Sequence, residues 1–324
     1  MLTDGKPILT KNLPKVTAAD LAVSDGLLGD TAARGTALIT LEEAMKFLDI
    51  KRGYHSNPNL LDNARWDDIY NVVNQRGLLE YTETGYTIDR WLKEVNIDIK
   101  LETDYLSIIP KKTSNSGLFQ RIELEKFVEG RIYTFSILTK ENVLECGNFI
   151  YNPLGNIFVQ KLIANNPKHY MQFNSTNNNY LSFGILNISG ENGTNLNLVA
   201  AKLEEGSVQT LAHKEGDIWV LNDSPPDYAL ELVKCQRYFE RGVINRRFKN
   251  TGSSASLINA NVYIPFIVPK RAKPNVRFEY DIQDGETVVA EANHKSKFGF
   301  TDNSISLEAN ARIDIHWYEA SAEL

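Results

Sequence analysis

The sequence predicts an all-β protein built from two antiparallel sandwiches, and three observations carry that prediction. Short segments alternate apolar and polar residues with period two, most clearly Ile97–Thr103, Arg131–Thr139, Tyr180–Leu186 and Ala311–Tyr318. Runs rich in Asn, Gly and Ser separate these segments, at 110–117, 174–179 and 189–194. A single helical segment, 228–241, stands between two strand-rich stretches. Many short strands at regular spacing mean a sandwich; periodicity alone does not separate it from a barrel.

Residues 1–55 read as a separate arm. Up to Asp30 the apolar pieces are too short for a core of their own. Thr40 then begins a capping box with Glu43, and Leu41, Ala44, Met45 and Leu48 fall on one helical face. So short a helix is marginal alone and needs a surface to pack on. The polar turn formers of Lys51–Pro58 make a linker.

Residues 56–223 form the first β-domain. Its strands include Ile97–Thr103, Arg131–Thr139 (Ile132, Thr134 and Ser136 opposed to Tyr133, Phe135 and Ile137), Asn156–Leu162, Tyr180–Leu186 and Leu196–Leu203. Residues 224–241 form a helical link. Ser224 is placed as cap, Pro225 as first helical residue and Asp227 as the acid of the first turn. Tyr228, Leu232, Cys235 and Phe239 make its apolar stripe, with Lys234, Arg237 and Glu240 facing away over about four turns. Residues 242–324 form a smaller β-domain with strands in Ser256–Pro269, Val276–Ile282, Thr287–Ala292 and Ala311–Tyr318. In the last, Ile313, Ile315 and Trp317 share one face.

Composition narrows the function. The chain has 324 residues, enough for two or three domains, with 42% hydrophobic and 23% charged residues. A net charge of -6 gives no electrostatic footprint for nucleic acid. No apolar run reaches the ~20 residues of a membrane span, and Met1–Lys6 lacks the layout of a signal peptide. Cys146 and Cys235 read as two buried thiols or, less readily, one disulfide. The five histidines show no ligand spacing, and no zinc motif, P-loop, nucleophile elbow or dinucleotide fingerprint appears, so no cofactor is expected. Calcium on Asp and backbone oxygens suits such folds, but no ligand set stands out. Asp67/Asp68, Glu80/Glu83 and Asp281/Asp284 are candidates for a glycosidase pair only in that they are neighbouring acids, and such pairs arise by chance. The sequons at Asn174, Asn187 and Asn192 read as Asn-rich loops.

Several motifs stand in a fixed order: Asn59–Asn63 (NLLDN), Val73–Gly77 (VNQRG), Gly85–Trp91 (GYTIDRW), Gln120–Glu123 (QRIE), Lys202–Ser207 (KLEEGS), Tyr228–Phe239 with its KCQRYF ending, and Val268–Val276. Together they resemble fibre and appendage proteins of tailed bacteriophages, and Ala37–Leu48 resembles the segment with which many of those proteins begin. The resemblance implies a jelly roll at 56–223, similar to carbohydrate-binding modules, followed by the helical link and the small C-terminal sandwich. It implies a non-enzymatic virion protein, a homotrimer attached by residues 1–55 to the tail or capsid, that binds a host-surface polysaccharide. A head fibre or capsid decoration protein is the alternative, and a polysaccharide-depolymerising spike a more remote one. The loops expected to bind glycan carry Trp66, Tyr70, Tyr81, Tyr151, Tyr170, Asn178 and Tyr180; among these Trp66, in a polar context, is the exposed stacking face. Arg76, Asp89, Arg90 and Trp91 are expected in the framework. One departure stands out: the stretch after Gly206 is longer than in that family, and His213–Val220 reads as an extra strand or a lid.

Overall fold

A computed structural model describes four short strands within residues 1–55 and most of residues 56–323. It leaves out 112–115, 153–157, 162–169, 178–179, 187–194, 253, 255, 259–262, 285–287 and 308–311. The chain divides into two compact units, Met1–Asn57 and Pro58–Leu324. In the first, β1 (Lys15–Val16) pairs in parallel with β4 (Leu38–Ile39), and β2 (Asp30–Thr31) pairs with β3 (Gly35–Thr36). The helix expected at 40–48 lies outside the described residues.

The second unit opens with two six-stranded antiparallel sheets. Sheet I contains, in order, β13 (Phe158–Lys161), β14 (Tyr170–Asn177), β15 (Tyr180–Leu186), β10 (Gly117–Glu123), β7 (Trp91–Lys93) and β6 (Gly85–Tyr86). Sheet II contains β12 (Leu144–Ile150), β11 (Ile132–Thr139), β16 (Leu196–Glu205), β9 (Leu106–Pro110), β8 (Ile97–Leu101) and β5 (Glu80–Tyr81). The chain passes repeatedly from one sheet to the other, as in a jelly roll. Tyr133, Phe135 and Ile137 point into the core from sheet II, as the alternation requires, and meet Leu118, Ile122, Leu181 and Phe183 from sheet I. Phe183 lies 5.3 Å from Phe149 and 5.8 Å from Phe127, ring centre to ring centre. Each such ring contributes roughly 1.5–3 kcal/mol by leaving water.

His213–Val220 is neither a lone strand nor an open lid. It forms most of a hairpin of β17 (Ala212–Glu215) and β18 (Ile218–Leu221), in which Leu221 pairs with Ala212. The hairpin region packs Trp219 and Leu221 against Leu138 and Ala200, on the side of sheet II turned away from the core. Lys202, on the same side of β16 as Ala200, is fully buried and donates to Asp223 at 3.1 Å. One outer face of the sandwich is therefore roofed.

The helical link is shorter than its stripe suggests. Helix α1 spans Tyr228–Gln236, and its cap is Asp227, not Ser224: the Asp227 carboxylate accepts from the amides of Ala229 and Leu230. It buries Glu231, Cys235 and Gln236 while Tyr228 stays exposed. Phe239 belongs to the next strand, and Glu240, expected to face away, is fully buried. The two cysteines are free; Cys235 is buried, but Cys146 is exposed, because on β12 the inward positions are Gly147 and Phe149.

Two more sheets complete the unit. In one, β25 (Arg312–Ser321) lies between β19 (Phe239–Lys249) and β22 (Asn275–Asp284). In the other, β24 (Gly299–Leu307) pairs with β20 (Ser256–Ile258), β21 (Tyr263–Pro265) and β23 (Val288–Asn293). Phe266, Phe300, Tyr318 and Ala320 fill the space between them. Gly242 pairs with Tyr318, whose ring occupies the place of a side chain there and sends its hydroxyl to Glu240. Trp317 departs from the expected alternation: Ile313 and Ile315 are buried, but Trp317 is turned out.

Candidate functional site

The sequence motifs converge on one polar network where the first sandwich, α1 and the C-terminal sandwich meet. Asn63 donates to the carbonyls of Val73 and Asp89 at 2.8 and 3.0 Å, and the Trp91 indole donates to the Asn63 carbonyl at 2.8 Å. Gln120 exchanges two hydrogen bonds with the backbone of Asp62, at 2.9 and 2.8 Å. Arg90 is fully buried. It donates to Asp62 at 3.2 Å and to the Arg121 carbonyl at 2.6 Å, and its guanidinium lies 3.4 Å over the Tyr238 ring. Tyr238 in turn donates its hydroxyl to Glu123.

The second half of the network centres on Arg76. It donates to Asp89 at 3.4 Å and Glu323 at 2.8 Å, and its guanidinium lies 3.8 Å over the Phe239 ring. Gln75 links the same Asp89 to the Phe239 carbonyl, at 2.5 and 2.9 Å. Burial pushes the Asp89 carboxyl up to about 6 even though Arg76 and Gln75 pull it down. Burial likewise pushes Glu323 up to about 7. Several of these bonds join the first sandwich to the residues that follow it, so they fasten domains together.

The face of sheet I turned away from the core continues from this network, with the Arg76 guanidinium 5.6 Å over the Tyr86 ring. On β10 the side chains of Leu118 and Ile122 enter the core, which leaves Phe119 and Arg121 on the opposite side. Arg121 pairs across the sheet with Ser182, and its guanidinium lies 4.9 Å over the ring of Tyr180 and 6.0 Å over that of Phe119. The Tyr86 hydroxyl is hydrogen-bonded to Arg121, and burial pushes its pKa up to about 12. Glu94 stands close enough to feel the Arg121 charge, although burial raises its carboxyl overall. Arg121, Tyr86, Glu94 and Tyr180 are all half-buried, so one edge of each meets solvent. The arrangement offers two aromatic rings, a planar fork of donors and a carboxylate acceptor, a set suited to a ligand with an apolar ring face and many hydroxyls.

The residues expected to bind are dispersed. Tyr180 lies on this face. Tyr170 begins β14 opposite Leu186, its side chain outside the described residues, as is the whole of Asn178. Tyr70, 85% exposed, sits on the turn Ile69–Asn71, whose cap Asp68 accepts from its amide. That turn is tied through Ile69 to Thr103, beside sheet II. Trp66, Tyr81 and Tyr151 are corrections, because all three are core residues. Trp66 is fully buried with its ring edge-on to Trp91 at 5.2 Å. Its polar neighbours misled: Arg65 and Asp67 are the outer half of an alternation and pair with each other at 2.7 Å, while Ala64 and Trp66 point inward. Tyr81 is held by its hydroxyl on Asn74 at 2.5 Å, and Tyr151 packs 5.3 Å from Phe127.

Tyr86, Glu94, Phe119 and Arg121 were absent from the expected site. Tyr86 and Arg121 stand inside the GYTIDRW and QRIE motifs, so the signal was present in the sequence. Three of the acids considered for catalysis have structural partners: Asp67 holds Arg65, Asp68 caps the turn at Ile69–Asn71, and Asp281 meets His316 at 3.1 Å. Among the described residues no three His, Cys, Asp or Glu side chains gather to hold a metal ion, and no helix is long and apolar enough to cross a membrane. In comparisons with known proteins, no family model, no curated protein and no solved structure matches the chain.

Proposed function

We propose that the chain is a bacteriophage virion fibre protein of the tail-fibre, receptor-binding type, whose first sandwich attaches to a host-surface glycan through the outer face of sheet I. The observation that carries this reading is the cluster of Arg121 with Tyr180 and Tyr86 on an outer sheet face, opposite a face closed by the β17–β18 hairpin. An aromatic ring stacks on the C–H side of a sugar while a guanidinium fork takes its hydroxyls. Residues 1–55 are the arm that docks on the tail or capsid, and the working form is a homotrimer. Contacts of this kind are individually weak, and several copies on one particle supply avidity. The role is binding, with no catalytic step and no cofactor.

The test is binding of the labelled full chain to a panel of bacterial strains, competed by their extracted surface polysaccharide, with the mass in solution measured alongside. Saturable binding by a trimer, competed by polysaccharide and weakened about tenfold by Arg121→Ala, is the expected result. A trimer that ignores every cell surface would point instead to a head fibre or capsid decoration protein. Release of reducing ends from the polysaccharide would point to a depolymerase.

A further inference from the structure

Trp317 is placed outside the C-terminal sandwich by a break in strand register. Along β25 the buried apolar positions are Ile313 and Ile315, then Tyr318 and Ala320, so the inward parity changes between Ile315 and Tyr318. Both neighbouring strands record the change at the same place. On β22, Glu279 faces Trp317 and the very next residue, Tyr280, faces Ile315, which leaves His316 as the extra residue of a bulge. On β19, Val243 faces Trp317 and Arg246 faces Ile315, with Asn245 in the left-handed conformation at φ 49°. A one-residue bulge moves every following side chain to the other side of the sheet. Without it the indole would enter the core and Tyr318 would leave it.

The outward indole is 38% exposed beside Val243, which is 55% exposed, and the Arg241 guanidinium lies 5.0 Å from its ring centre. Two ion pairs flank it: Arg241 pairs with Glu279 at 2.8 Å and Arg277 with Glu319 at 2.7 Å. Next to them Asp281 meets the His316 ring at 3.1 Å. The patch therefore carries a flat aromatic surface rimmed by hydrogen-bonding groups of both signs. Its apolar part is one indole and one isopropyl group, far short of the roughly 1,200–2,000 Å² that a stable protein interface buries. It does match one face of a sugar ring.

We propose that Trp317, with Val243 and the Arg241–Glu279 and Arg277–Glu319 pairs, forms a second binding site that takes hexopyranose units of an uncharged polysaccharide. The C–H face of the ring lies on the indole, and its hydroxyls bond to the flanking carboxylates and guanidinia. This site is separate from the Arg121 face and does not depend on it.

The experiment titrates the full chain with dextran and with a neutral galactomannan, and with alginate as an anionic control. Binding is followed by isothermal titration calorimetry, so that the readout does not depend on the indole being replaced; in the parent chain, protection from acrylamide quenching reports Trp317, which is more exposed than the buried Trp66 and Trp91 and the half-buried Trp219. The expected result is binding to at least one neutral polymer but not alginate, weakened about tenfold by Trp317→Ala and largely kept by Trp317→Phe. Arg121→Ala must leave it unchanged, which separates this site from the one on sheet I. The proposal is overturned if the parent chain binds neither neutral polymer, if Trp317→Ala binds as the parent does, or if alginate binds equally well. It is also overturned if Trp317→Ala alters only the mass in solution, since the patch would then be a contact between copies.

Discussion

Arg76 and Glu323 are separated by 247 positions in the chain, yet the guanidinium holds the carboxylate at 2.8 Å. The same guanidinium faces the buried carboxylate of Asp89 at 3.4 Å. The Arg76 cation is thus shared between two anions in a site from which water is largely excluded, Arg90 adds a weaker attraction to both, and burial outweighs these charges for each anion.

This sharing sets a pH dependence. Asp89 and Glu323 are raised to about 6 and about 7 in the folded chain, above their ordinary values of 3.8 and 4.5. Between those limits the native state holds more protons than the unfolded chain, so stability falls as pH rises from about 4 through 7. The urea midpoint should be higher at about pH 5 than at about pH 8, and Glu323→Gln should flatten roughly half of that difference. A midpoint that does not move across this range would show that the two carboxylates are not held as described.

Arg90 has a backbone φ of 76°, a left-handed conformation that costs a non-glycine residue energy, and it persists because the side chain is tied to Asp62, Arg121 and Tyr238. Arg90→Ala leaves Asp62 without its partner in a dry site and should cost about 3–5 kcal/mol by thermal unfolding. Arg90→Lys should recover little, since an ammonium cannot both stack on Tyr238 and reach two acceptors. Near-parental stability in the lysine variant would contradict this.

Trp66 and Tyr70 should separate cleanly. Trp66→Ala opens a cavity against Trp91 and should cost about 3–5 kcal/mol. Tyr70→Ala, at a position 85% exposed, should stay within about 0.5 kcal/mol. Denaturant midpoints for the two variants decide the point, and similar losses would place Tyr70 in a core contact.

The β17–β18 hairpin should behave as a separately opening element. Trp219→Ala removes its main apolar contact with Leu138 and Ala200 and should cost about 1–3 kcal/mol. Amide exchange should accelerate in 212–221 well before it does in β11 and β16. Uniform acceleration across all three would show that the hairpin belongs to the core unit.

The fold class was legible because alternation survives burial. Tyr133, Phe135 and Ile137 were placed correctly, since they oppose polar residues on one strand. β10 was not foreseen: all its residues but Arg121 are buried, so Gly117–Glu123 shows no alternation to read. Trp66 failed for the opposite reason, because its neighbours' polarity reported the outer half of a strand-like segment. Trp317 was placed on one face with Ile313 and Ile315 since nothing local in Ile313-Asp-Ile-His-Trp317 marks a bulge; the slip is defined by β19 and β22. The binding face was harder still. Arg121 gains its meaning from Tyr180 and Tyr86, residues that only sheet pairing brings to it.

The partnership of Arg76 with Glu323 also constrains the order of events at the ribosome. Residues 56–223 emerge before the C-terminal sandwich and contain a core of their own, but the charge on Arg76 has to wait until nearly 250 further residues have been made, because its Glu323 partner lies 247 positions on. Contacts of such long sequence separation form late and slowly. A nascent first sandwich therefore carries an unfinished edge along Gln75, Arg76 and Asp89 for much of its synthesis. That edge is closed only when the final strand arrives and Ala322 donates to the Tyr238 carbonyl at 2.7 Å.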